Sequence, residues 1–125
     1  MDLRGDVRRH ICNSTELSER GHGVRFQLRA GEEIVPAFVV RYNRCARAFI
    51  NRCAHLSIEL DWMAGQVFDP DRRHLICATH GALYDPDSGA CVEGPCRGNG
   101  LIPVGVEETD GLVMLTDAQF EEVIE

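Results

Sequence analysis

The chain is short of basic residues, of long apolar runs and of phosphate-binding motifs. Thirteen Lys+Arg stand against 20 Asp+Glu, a formal net charge of −7. Nucleic acid needs a basic face to meet its phosphates, so no nucleic-acid partner is expected. The same deficit argues against an anionic membrane surface. An acidic surface suits basic protein partners instead. The longest unbroken apolar run, Ile34 to Val40, contains Pro36 and is far too short to span a bilayer. The Arg8-Arg9 pair has no apolar stretch behind it and does not read as an export signal, so the cytoplasm is the expected compartment. Gly98-Asn99-Gly100 is an isolated turn without a following helix, not a phosphate loop. No nucleophile–base pair stands out, and 125 residues leave no room for a nicotinamide or flavin domain. The chain is therefore not expected to be an enzyme on its own. There is no low-complexity segment, heptad repeat or linker.

What remains fits one domain over residues 1–125. Apolar residues make up 44%, enough for a core. Val24 to Ala30 alternates apolar and polar, the pattern of a half-buried strand. Ile34 to Tyr42 is rich in β-branched and aromatic residues and predicts a more buried strand. Arg47 to Asn51 resumes an extended run. The turns Asp69-Pro70-Asp71-Arg72-Arg73 and Asp85-Pro86-Asp87-Ser88-Gly89 each sit between short apolar segments and predict hairpins. Leu101–Val106 and Leu112–Leu115 flank Glu107 to Gly111, which holds an Asp-Gly turn signal. Thr116 to Gln119 resembles a capping box, and Phe120, Val123 and Ile124 follow at helical spacing, so a short C-terminal helix is predicted. The fold class is all-β, a sandwich or small barrel.

Two segments carry chemistry. Cys53-Ala54-His55 and Cys77-Ala78-Thr79-His80-Gly81 each place one thiol and one imidazole within two or three residues. Two such loops brought side by side make a site of two sulfurs and two nitrogens. Soft thiolate with imidazole suits zinc or iron–sulfur chemistry, not magnesium or calcium. Zinc is the competing occupant, although zinc fingers usually pair Cys with Cys and His with His on a much smaller fold.

The pattern Cys-x-His then Cys-x-x-His-Gly resembles the Rieske family of [2Fe–2S] proteins. Gly81-Ala82-Leu83-Tyr84-Asp85 is similar to that family's strand after the second motif, and Ser88-Gly89 to its following turn. Gly94-Pro95 looks like its proline loop, Leu101 to Val104 like the next strand, and Gly111 to Leu115 like the closing strand. The resemblance implies an antiparallel barrel or sandwich with an inserted cluster-binding subdomain at about residues 53–92. It implies one Rieske-type [2Fe–2S] cluster, with Cys53 and Cys77 on the inner iron and His55 and His80 on the outer one. Gly81 would allow a tight turn beside the cluster, backbone N–H groups of the loops would face the sulfides, Pro95 would shield the cluster, and Tyr84 would pack behind the ligands. The implied function is one-electron transfer, from an NAD(P)H-dependent flavin reductase to a terminal oxygenase.

Absences refine the subclass. Respiratory Rieske proteins carry an extra cysteine in each loop and a serine two residues after the second histidine. Here Leu56 to Leu60 and Ala78-Thr79 hold no cysteine, and the serine position is Ala82. Fewer hydrogen bonds to sulfur imply the pattern of the Rieske-type ferredoxins and a potential of roughly −150 mV. Twenty-one residues separate His55 from Cys77, more than is usual for small ferredoxins, and Ala78 stands where proline is common. The extra length is assigned to the Asp69–Arg73 turn. Alternative readings are a small Rieske-like subunit of a reductase complex, a redox-sensing module and a structural zinc domain.

His10, His22 and His74 read as ordinary residues. Cys12, Cys45, Cys91 and Cys96 are expected to be buried or free thiols, with a Cys91–Cys96 disulfide as the other possibility. Trp62 reads as packing. Asp61, Asp69, Asp71, Glu93, Glu107, Glu108 and Asp110 form either a solvated face or a docking patch.

Overall fold

The structure is a computed structural model and describes residues 9–53, 59–61, 63, 65–79, 81–95 and 99–124. Its strands, in chain order, are β1 (Arg9–Asn13), β2 (Val24–Ala30), β3 (Glu33–Tyr42), β4 (Cys45–Ile50), β5 (Leu75–Ile76), β6 (Leu83–Tyr84), β7 (Cys91–Glu93), β8 (Pro103–Val104), β9 (Val106–Thr109), β10 (Leu112–Leu115) and β11 (Glu122–Ile124). They form three sheets, ordered β1-β10-β9, β11-β2-β3-β4-β8 and β5-β6-β7. All strand pairings within these sheets are antiparallel. The all-β class expected from the sequence is what the chain adopts. Among the described residues no helix is long and apolar enough to cross a membrane.

The hairpin turns follow from local chemistry. Asp110 and Gly111 both have positive φ, 53° and 79°, and close β9 onto β10 in the mirror-image turn that suits the strand twist. The β3–β4 turn uses Asn43 and Arg44, again at positive φ, 53° and 67°. Arg44 is a poor residue for that conformation. Glu19 compensates: its carboxylate accepts both turn N–H groups, from Asn43 at 2.7 Å and Arg44 at 2.8 Å.

The β3–β4 pair is the wall between two cores. Ala37 and Val39 of β3, with Ala48 and Ile50 of β4, face a core that also holds Phe26, Leu28, Val113 and Leu115. The alternate residues Phe38, Val40 and Phe49 face a second core with Leu60, Val67, Leu75, Tyr84 and Leu101. Side chains alternate across a strand, so a strand covered on both faces must be apolar at every position. That is why Ala37 to Val40 reads as a continuous apolar run. Phe38 and Phe49 lie opposite each other, ring centroids 6.0 Å apart, and form the floor of the second core.

Two sequence expectations are overturned. No C-terminal helix forms; Glu122–Ile124 is β11 and pairs with Gln27–Arg29 of β2. A helix of that length is marginal in water, whereas the free edge of β2 offers backbone partners to β-branched Val123 and Ile124. The Thr116–Gln119 capping box starts no helix; the Asp117 carboxylate within it accepts the N–H of Gly105 at 3.1 Å and of Gln119 at 3.0 Å. Leu101 to Val106 is not one strand either. It breaks at Gly105, so that β8 pairs with β4 while β9 pairs with β10.

Candidate cluster site

The second core is where the two motifs meet the fold. Cys53 follows β4 and Cys77 follows β5, and both side chains are buried in that core, 2% and 0% exposed. The second segment is held by its own backbone. Cys77 N–H donates to the Ala82 carbonyl at 2.9 Å, and Gly81 N–H to the Cys77 carbonyl at 2.8 Å. Gly81 takes φ +75°, the tight turn expected of it. Ala78 N–H donates to the Leu60 carbonyl at 2.8 Å and ties the second segment to the stem of the first. The N–H groups of Cys77, Ala78 and Gly81 are thus engaged with carbonyls. The expectation that loop N–H groups face the sulfides does not describe these three.

Tyr84 is fully buried, and its hydroxyl lies 3.4 Å from Cys53 Sγ. The sequence alone reads this ring as packing. Its position one strand after Cys77 carried a signal, because a buried tyrosine hydroxyl needs a partner. Gly94 has φ +96°, and a Cβ there would stand 3.0 Å from Ala82 Cα. The Gly94–Pro95 corner therefore lies against the second segment, with Pro95 itself exposed. His55, His80, Trp62 and Cys96 lie outside the described residues. Among the described residues no three His, Cys, Asp or Glu side chains gather to hold a metal.

The donor chemistry still fits a soft metal group. Cys53 and Cys77 carry thiols in one dry core. A thiolate there would be costly unless a metal and hydrogen-bond donors met its charge. Cys12 shows the cost of burial alone: its thiol is pushed up to about 11 by desolvation, with Glu16 and Glu108 adding to the rise.

Three further expectations change. Cys91 is disulfide-bonded, where the sequence favours a thiol. Compartment alone argues for the thiol, but local geometry decides oxidation, and Cys91 sits half-buried opposite Tyr84 in the β6–β7 register. Three of the acidic residues do not stand free for a docking patch. Asp61 is buried, Glu108 is paired with Arg41 at 2.7 Å, and Asp69 accepts the N–H groups of Arg73 and His74. Asn51, unremarked in the sequence, and Asp61, read there as part of a solvated face or docking patch, are the buried polar residues among the described ones.

A family model described as the Rieske [2Fe-2S] domain matches residues 8–112. The chain belongs to the Rieske [2Fe–2S] domain family. One Rieske-type [2Fe–2S] cluster is the cofactor of that family, and the resemblance read from the two motifs holds. No curated protein sequence matches the chain. Among solved structures, the ferredoxin of carbazole 1,9a-dioxygenase from Nocardioides aromaticivorans IC177 is similar at TM-score 0.68 and 18% identity. That match covers 89% of this chain and 98% of the ferredoxin. The Sphingomonas yanoikuyae B1 ferredoxin is similar at TM-score 0.67 and 20% identity, over 88% of this chain and 98% of its own. A chain from a complex of reduced oxygenase and oxidized ferredoxin in carbazole 1,9a-dioxygenase matches at TM-score 0.68 and 18% identity, over 97% of this chain and all of that one. At these identities the Rieske fold is what is shared.

Proposed function

We infer that this chain is a one-electron carrier and not a catalyst, a ferredoxin of the Rieske type. Within it, Cys53 and Cys77 would hold the inner iron of the cluster, and His55 and His80 the outer one. The observation that carries this reading is the pair of buried cysteines in one core, the first within hydrogen-bond reach of the Tyr84 hydroxyl. The cluster, when bound, supplies a one-electron couple. The chain's own residues set its surroundings. Phe38, Val40, Phe49 and Leu60 exclude water from the inner side. The Tyr84 hydroxyl donates toward Cys53 Sγ and offsets charge there, which favours the reduced state. Gly94–Pro95 packs on the second ligand segment at Ala82. Residues 53–92 act as the cluster-binding subdomain, a reading supported by the separate sheet β5-β6-β7 and the second core.

The partners we propose are a terminal oxygenase as electron acceptor and an NAD(P)H-dependent flavin reductase as donor. A fold match that includes a ferredoxin seen in complex with its oxygenase supports the first. The family's usual route from a flavin supports the second. We place the carrier in the cytoplasm, where NAD(P)H for the proposed reductase is at hand.

The test is a visible spectrum of anaerobically purified protein, followed by EPR after dithionite. A red-brown protein with the low average g of mixed His/Cys ligation supports the reading. A colourless protein with stoichiometric zinc sinks it.

A further inference from the structure

Asn51 and Asp61 flank the first ligand segment in sequence. The two side chains meet: Asn51 Nδ2 donates to Asp61 Oδ1 at 3.0 Å. Asn51 Oδ1 accepts the N–H of Leu60 at 2.8 Å. The carbonyl of that same Leu60 accepts the N–H of Ala78, next to Cys77. One amide side chain thus links both stems of the first segment, and through Leu60 it reaches the second. Asp61 is anchored in turn to the β2 side of the fold. Its Oδ2 accepts the N–H of Gly65 at 2.8 Å and lies 3.6 Å from Arg25 Nε. Arg25 also pairs with Glu59, one residue before Leu60. Gly23 N–H donates to the Gly65 carbonyl at 2.7 Å, and a Cβ on Gly65 would come within 2.4 Å of the Gly23 oxygen. A buried carboxylate and amide are costly unless their hydrogen bonds are made, so they hold one arrangement.

We propose that Asn51 and Asp61 are positioning residues that clamp the two stems of the first ligand segment and set its spacing to the second. This rests on the ligand assignment above. Neither residue touches the cluster in this proposal; both act through Leu60 and Ala78.

The test uses the full chain with Asn51→Leu, Asp61→Asn and, as a control in the other core, Val113→Ala. In cluster-loaded protein the Leu60 and Gly65 amides are expected to exchange about tenfold faster in the first two variants, the loss of one ordinary hydrogen bond. The amides of Phe26 and Leu28 should keep their protection. In reconstituted protein the same two variants should release iron to a chelator about tenfold faster, with shifted g values in the reduced EPR spectrum. Val113→Ala should lower the melting temperature and leave exchange at Leu60, iron release and g values alone. Unchanged g values and iron release in both variants would overturn the positioning role, even if the amides exchange faster. The same would follow if Val113→Ala reproduced the effects. If wild-type protein takes up no iron and sulfide at all, the ligand assignment itself falls and takes this inference with it.

Discussion

The hydroxyl of Tyr84, on the β5-β6-β7 sheet, reaches Sγ of Cys53 at 3.4 Å across 31 positions of sequence. With Cys53 as a metal-bound thiolate, the hydroxyl is the only one of the two that can donate. Removing it leaves a ring of the same shape in a fully buried place. Tyr84→Phe should therefore keep the cluster and lower its midpoint potential. A hydrogen bond of about 1 kcal/mol corresponds to roughly 40 mV for a one-electron couple. Voltammetry of the two proteins checks this, and equal potentials would show that the hydroxyl does not act on the sulfur.

Glycine substitutions should separate by what a Cβ meets. Gly65 has φ +82°, and its Cβ would stand 2.4 Å from a backbone oxygen that cannot swing away. Gly31 has φ +66° but open space around it. Gly31→Ala should cost about 1–2 kcal/mol, the left-handed strain alone. Gly65→Ala should cost about 3 kcal/mol or more, because the clash adds to the strain. Urea denaturation of apo-protein measures both, and similar losses would contradict the close approach of residues 23 and 65.

Arg41 and Glu108 should govern part of the acid sensitivity. The guanidinium meets the carboxylate with two bonds, 3.0 Å and 2.7 Å, and also donates to the carbonyls of Ser14, Leu17 and Arg44. The hydrogen bond from Arg41 holds the Glu108 carboxyl below its ordinary value of 4.5, with Ser14 helping. A lowered carboxyl contributes stability above its unfolded value and loses it as pH falls through the folded one. Wild-type stability should thus drop below about pH 4.5. Arg41→Met should lose about 2 kcal/mol at neutral pH and show a flatter profile through the acid range. A parallel pair of stability–pH curves would refute the role of this pair.

The thiols should divide by burial. Cys45 is exposed and free, and should alkylate first in native protein. Cys12 is 2% exposed with its thiol raised to about 11, and should react only on unfolding. Cys91 should stay unlabelled until a reductant is added, because it is in a disulfide. Peptide mapping after timed labelling reads all three. Labelling of Cys91 in unreduced, unfolded protein would show that the disulfide does not form in solution.

The two thiol–imidazole segments were legible in the sequence because their spacing is local. Cys53 and His55 lie two residues apart, Cys77 and His80 three, and the Gly81 to Asp85 run follows directly. The turn at Asp110-Gly111 was legible for the same reason: a two-residue turn is specified by the residues that make it. The C-terminal segment failed because Phe120, Val123 and Ile124 fit helical spacing over too few residues. The edge of β2 then decided the outcome. Asn51 and Asp61 were invisible as a pair because nothing in a linear run says which polar side chains will be buried together.

The sequence by itself determined that the chain is all-β, acidic and equipped with two thiol–imidazole segments. Those properties depend on residue type and on separations of a few positions. Tertiary structure alone decided that β3 faces two cores, that Tyr84 reaches Cys53, that Asp61 is buried while Glu108 is paired, and that Asn51 bonds both Leu60 and Asp61. Each of these depends on strand register and on the closing of long loops, where the free energy lies in contacts between residues far apart in the chain.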